Sequence, residues 1–278
     1  MANRVVKIPT ADISADISNY TIGLAKLSEH NRVENASLSG TGTLVSVGKV
    51  HGLLTAAHVL DALPSEGAVG VILFRSRQLQ KQVIEMEHAV PLSIRAEQFD
   101  QNGPDLGFLR LPPKNVGWLN ALNSFYNMTK WRGEVLAKQK PAQHFAEALI
   151  GMIEELTEEI PVAEPLRRAK SFSAIFCNGE SKNTRDKNGF DLVDVTPTAY
   201  PDFAVPKNFK GMSGGALWRM YFVEREGASE IVARHLVGVP FHQSVGADGA
   251  RIITCHGEKG IYTTLLEKIA EKWPDEME

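Results

Sequence analysis

The sequence predicts an all-β fold in two halves separated by a helical stretch. Short runs of β-branched and apolar residues recur before residue 112 and again after residue 171, with glycine and proline turn signals between them. From Trp118 to about Lys170 this rhythm gives way to apolar residues at helical spacing. Hydrophobic residues make up 43% and charged residues 23% of the 278, enough apolar material for a real core. Short strands joined by glycine turns fit a sandwich or a barrel.

Residues 1–19 show no clear periodicity and read as a surface lead-in. From Tyr20, a first strand carries Ile22, Leu24 and Leu27. Thr41 to Val47 is a second, turned at Gly48-Lys49, and Leu53-Leu54-Thr55 a third. Val69 to Phe74 and Gln82 to Glu87 add two more, and Leu106 to Leu111 a sixth, stopped by Pro112-Pro113. Phe145, Leu149, Met152, Leu156 and Ile160 then fall on one helical face. Glu147, Glu154, Glu155, Glu158 and Glu159 fall on others, as a solvated surface would require. That spacing predicts an amphipathic helix ended by Pro161 and Pro165. Strand signals return at Phe172–Phe176 and Leu192–Val195 around a polar loop, 178–189, and continue at Ala216–Val223, Ile231–Val239 and Ala250–Thr254. Gly260 to Thr264 predicts a last strand leading into a helix with Leu265, Ile269 and Trp273, stopped by Pro274. The organisation expected is a lead-in (1–19), a first β unit (20–112), a helical insertion (113–170) and a second β unit with its terminal helix (171–278).

A net charge of -3 and a pI near 6.3 argue against a nucleic-acid partner or a basic membrane surface. No apolar run approaches the roughly 18 residues of a membrane span. Arg4 and Lys7 are not followed by an apolar signal region, and the only cysteines are Cys177 and Cys255. Both points predict a cytoplasmic protein with reduced thiols. No histidine pair has metal-ligand spacing, and the neighbours Cys255 and His256 do not make a site, so neither metal nor organic cofactor is expected.

Three short stretches carry chemistry. Leu53-Leu54-Thr55-Ala56-Ala57-His58 places a histidine after an apolar strand. Pro104-Asp105-Leu106-Gly107-Phe108 places an aspartate at a strand start. Gly211-Met212-Ser213-Gly214-Gly215 places a serine in a turn of glycines, where a substrate carbonyl can approach backbone N–H groups. Asp100, in the polar Phe99–Gly103 loop, competes with Asp105 but suits a turn better. These stretches, in this order, resemble the trypsin/chymotrypsin-like serine proteases. Gly40 to Val45 is similar to that family's strand before the histidine, and Gly260 to Trp273 to its last strand and terminal helix. The resemblance covers about residues 20–112 and 171–273. It implies two six-stranded antiparallel barrels, with the helical insertion between them and the helix at the end. It also implies roles: Ser213 as nucleophile, His58 as general base and acid, Asp105 as orienting carboxylate, and the N–H groups of Gly211 and Ser213 as oxyanion hole. Protein or peptide would be the substrate.

Met212 departs from the pattern. The digestive members carry an aspartate there, which pairs with a new amino terminus after zymogen cleavage; methionine forms no ion pair, and no Ile-Val-Gly-Gly-like start lies near Tyr20. The turn must then be held by packing, or by a partner or effector, as in regulated bacterial members; a partner would contact residues 118–170. By family register Lys207 and Asn208 fall near the base of the specificity pocket, Gly260 leaves one wall open, and Phe241 and His242 line the substrate edge, with Lys207 or His242 favouring an acidic P1 residue. A protease-like binding module and a serine esterase on the same triad are the competing readings.

Overall fold

The computed structural model describes residues 10–30, 33–74, 82–95, 103–160, 169–187, 189–198, 205–225 and 228–277. A short helix, α1 (Thr10–Ile17), precedes two long strands, β1 (Thr21–His30) and β2 (Val33–Val47). Gly48, at φ +56°, turns the chain into β3 (Val50–Thr55). Helix α2 (Ala57–Ala62), then β4 (Ala68–Leu73), β5 (Gln82–Glu85), β6 (Val90–Arg95) and β7 (Asp105–Arg110) complete the first half. These strands form an antiparallel sheet in the order β5-β4-β1-β2-β3-β7-β6. Its inward face buries Ile22, Leu24, Leu44, Leu53, Val69, Ile84 and Leu109 in one core.

Helix α3 (Pro113–Leu122), the two-residue strand β8 (Tyr126–Asn127) and helix α4 (Met128–Leu136) link the halves. Pro113 opens α3, where a missing N–H costs nothing, and the Asn127 side chain caps α4 by accepting from the Lys130 N–H at 2.8 Å. The second half comprises β9 (His144–Ile160), β10 (Ala169–Lys187), β11 (Phe190–Thr198), β12 (Ala216–Arg225), β13 (Ala228–Val245) and β14 (Arg251–His256), ending in α5 (Leu266–Lys272). Its six strands close into an antiparallel barrel in the order β10-β11-β14-β13-β12-β9. The all-β architecture with intervening helices and a terminal helix is as expected. No helix among the described residues is long and apolar enough to cross a membrane.

Three local expectations fail, each for a physical reason. Residues 144–160 are not a helix but β9, which pairs with β10 and β12. Ala148 and Ile150 face the core shared between the halves, whereas Leu149 and Ile153 face the barrel interior. A strand buried on both faces has no polar alternation, so its apolar run mimics a helix. The helical insertion therefore reduces to α3 and α4. The predicted loop 178–189 is mostly β10, laddered to β11 as far as Lys187 against Phe190. Gly260 to Thr264 is a helical turn rather than a strand. The Asp191 carboxylate accepts from the N–H groups of Lys259 (2.9 Å) and Gly260 (2.7 Å), and this remote cap overrides the β-branched local sequence.

The core between the halves joins Leu54, Leu106 and Phe108 of the first sheet to Trp218, Phe222 and Tyr262 of the second half. Both ends of the described chain tie into the body. Ile13 and Ile17 of α1 are buried, and Asp16 pairs with Arg234 at 2.6 Å, so this part of the lead-in is a docked element. At the other end, the Glu276 carbonyl accepts from the Lys49 N–H at 2.7 Å and its carboxylate pairs with Arg110 at 2.8 Å.

Candidate active site

His58 and Asp105 come together within the first half. Strand β3 ends at the buried Thr55, Ala56 stays extended, and His58 lies in the first turn of α2, after Ala57. Asp105 begins β7, which pairs with β3. The register sets the aspartate against the helix start: its Oδ1 accepts from the His58 backbone N–H at 2.8 Å, and its Oδ2 meets the ring Nδ1 at 2.5 Å. The imidazole is 44% exposed and the carboxylate 17%. Burial pushes the Asp105 carboxyl up, but the hydrogen bonds and charge of the His58 side outweigh this and hold it below its ordinary value. Asp100, the competing aspartate, lies outside the described residues.

A second histidine lies behind this pair. The Asp105 backbone N–H donates to His256 Nε2 at 2.9 Å. The His256 ring is fully buried and stacks on Phe241 with centroids 4.4 Å apart. Burial drives its pKa down to about 4, so the ring is neutral at pH 7 and free to accept. Because Nε2 accepts, the ring proton resides on Nδ1.

Ser213 sits in the turn between Phe209 and β12. The Met212 N–H donates to the Phe209 carbonyl (3.0 Å), the Gly215 N–H to the Met212 carbonyl (2.8 Å), and the Gly214 N–H to the Pro240 carbonyl of β13 (2.8 Å). Gly214 has φ +82°, and a Cβ on it would lie 2.0 Å from Thr55 Oγ1 and 2.1 Å from the Thr41 carbonyl. Only glycine fits there. Among the described residues neither the Gly211 N–H nor the Ser213 N–H has an acceptor. Met212 is buried with Leu149, Ile153, Phe209, Leu217 and Val237 and forms an apolar plug beneath the turn.

The helix carrying His58 and the turn carrying Ser213 close against the same strand residue. A Cβ on Gly40 would lie 2.7 Å from the Val59 methyls and 3.2 Å from the Ser213 carbonyl oxygen. The Ser213 hydroxyl forms no hydrogen bond to His58 among the described residues. Catalytic hydrogen bonds often tighten only when substrate binds.

A cavity of about 220 Å³ opens beside Ser213, bounded by Asn208, Phe241, His242, Gln243 and Ile253. Of the residues the sequence assigns to a substrate pocket, Asn208, Phe241 and His242 line this cavity, and Lys207 and Gly260 do not. The Lys207 N–H bonds to the Glu155 carboxylate with its side chain outside the cavity lining; Lys210 lines it instead, its ammonium 2.7 Å from Glu154. Gly260 is tied to Asp191 in the terminal helix. Sequence reasoning missed His256, Gln243 and Thr41. Of these only Thr41 carried a signal, as a hydroxyl residue between two glycines in an otherwise apolar strand.

No protein-family model and no curated protein matches the chain. Among solved structures, it aligns with the tobacco vein mottling virus protease at 11% identity and a TM-score of 0.43, covering 95% of this chain and 88% of that one. It also aligns with a chain from a structure concerning the coupled folding and binding of the intrinsically disordered Sesbania mosaic virus VPg protein. That match has 11% identity and a TM-score of 0.44, covering 89% and 90%. Likenesses of this degree do not bear on the chemistry of the site.

Proposed function

We propose that the chain is a serine endopeptidase. The observation that carries this is the two-point pairing of Asp105 with His58, through the ring Nδ1 and the backbone N–H. That pairing fixes the tautomer in which Nε2 is free to accept a proton, and it stabilises the imidazolium that forms. Ser213 Oγ attacks the scissile carbonyl as its proton passes to His58 Nε2. The N–H groups of Gly211 and Ser213 receive the oxyanion. His58 then returns the proton to the departing amine, leaving an acyl-enzyme on Ser213. Water, deprotonated by His58, attacks the ester, and the tetrahedral adduct collapses to release the acid and restore the serine. His58 and Asp105 come from the first half and Ser213 from the second, so the reaction would run at their junction.

The cavity takes the side chain before the scissile bond. No acidic residue lines it among those described, which argues against an arginine or lysine there; His242, Asn208 and Gln243 suit a polar or acidic side chain. Regulatory contact through the linking segment would fall on α3 and α4, where Leu122 and Leu136 are exposed. The Ser213 hydroxyl, which makes no hydrogen bond to His58 among the described residues, favours one second reading, a protease-like binding module with an idle triad. Cleavage of a proteome-derived peptide library by the wild-type chain and by Ser213→Ala separates them. New termini sharing one preferred residue in the wild-type digest alone are expected; identical digests would overturn the endopeptidase reading. Turnover of small esters without peptide cleavage would favour an esterase.

A further inference from the structure

We propose that Thr41 is the positioning residue that holds the nucleophile turn in its working shape, in place of the ion pair that Met212 cannot form. This rests on the endopeptidase reading of Ser213 and goes beyond it. Thr41 lies in β2 of the first half, between Gly40 and Gly42, and is fully buried. Its N–H donates to the Ser213 carbonyl at 2.9 Å. Its hydroxyl accepts from the Met152 N–H at 2.9 Å and donates to the Gly211 carbonyl at 2.7 Å. Its own carbonyl accepts from the Thr55 hydroxyl at 2.7 Å. A hydroxyl has one proton to give, and with Met152 occupying the acceptor side that proton goes to Gly211.

The geometry of the turn makes these contacts consequential. A peptide is planar and trans, so fixing a carbonyl fixes the N–H of the next residue pointing the opposite way. Four successive carbonyls are held: Lys210 by the Glu154 N–H (2.9 Å), Gly211 by the Thr41 hydroxyl, Met212 by the Gly215 N–H, and Ser213 by the Thr41 N–H. The first and third orient the two oxyanion donors, Gly211 N–H and Ser213 N–H. The second and fourth, both from Thr41, hold the peptide that follows each donor. Gly211 has φ +96° and Gly214 φ +82°, so the turn is rich in backbone freedom and its peptides rotate cheaply unless the carbonyls are tied. Met212 fills its apolar pocket but supplies no directional bond. The turn is therefore assembled by bonds from both halves of the same chain, Thr41 supplying those from the first, with no partner and no new amino terminus required.

The test uses the full-length chain and a peptide substrate identified by cleavage profiling. Thr41→Val keeps the shape and the strand propensity and removes the hydroxyl. Its kcat is expected to fall on the order of 10²- to 10³-fold, the scale of a lost oxyanion donor, with KM changed less than about 3-fold. Affinity for a peptide boronate, which forms a tetrahedral adduct on the serine, falls in parallel. Thr41→Ser restores kcat to within about 10-fold of wild type, because the donor returns. A merely structural threonine would lower stability without separating kcat from KM. Should Thr41→Val not fold, Thr41→Cys, a weak donor of serine size, is expected to turn over more slowly than Thr41→Ser. Wild-type kcat in Thr41→Val, or equal kcat in the Cys and Ser variants, overturns the role of Thr41. A wild-type chain that neither cleaves peptide nor binds the boronate overturns the endopeptidase reading itself.

Discussion

The His58–Asp105 pair and the Ser213 turn are held in different ways. His58 and Asp105 are joined side chain to side chain inside the first half, on a helix start and a strand start that are already paired through β3 and β7. Ser213 has no such self-contained support. Its turn is tied to Glu154 and Pro240 of its own barrel and, across the junction, to the N–H and hydroxyl of Thr41 of the first sheet. Damage to the contact between halves should therefore reach the Ser213 turn first and leave the carboxylate–imidazole pair formed.

The largest effect that would break this contrast lies on the self-contained side. Asp105→Asn should leave the fold intact and lower kcat about 10⁴-fold, because an amide in that place selects the wrong imidazole tautomer. Steady-state kinetics with a peptide substrate check it, and a loss below about 10-fold would mean the pair does not serve catalysis. On the other side, Gly214→Ala drives a methyl into the Thr55 hydroxyl and the Thr41 carbonyl at a positive φ. It is expected to cost about 4 kcal/mol or more in denaturant unfolding; a midpoint like wild type would show that the turn does not need that close approach.

His256 sharpens the comparison through pH. Its folded-state pKa, about 4, lies below the ordinary 6.5. On acidification the unfolded chain therefore takes up this proton first. The resulting loss is absent above pH 6.5, grows as pH falls to about 4, and levels below that, amounting to about 3 kcal/mol. His256→Gln, which retains an acceptor for the Asp105 N–H, should flatten stability across that window. The depressed Asp105 carboxyl adds a further loss as pH falls through its folded value, below 3.8. The smallest effect belongs to the carboxy-terminal clasp: Glu276→Gln removes a partly exposed ion pair with Arg110 and should cost under about 1 kcal/mol.

Legibility in the sequence divides along the same line. His58, Asp105 and Ser213 each stand in a flanking pattern dictated by local chemistry: an apolar strand end, a strand start, a turn of glycines. Those patterns were legible, and so was the β character of both halves. The misread elements were set by distant partners. Strand β9 serves two cores at once and so lost its alternation. The terminal helix starts where Asp191 caps it, 68 and 69 residues away along the chain. Gln243 and His256 became visible only when β13 and β14 brought them beside Phe209 and Asp105. The boundary of the helical insertion failed for the same reason, since residues 144–160 complete a barrel whose other strands all come later.

The most direct measurement is covalent labelling of the purified full-length chain by a peptidyl phosphonate, with no other protein present, followed by peptide mapping. A serine that is activated by His58 in a turn assembled by its own chain predicts one adduct, on Ser213, and none in the His58→Ala variant. Absence of an adduct on the wild-type chain, or equal labelling of wild type and His58→Ala, would contradict it.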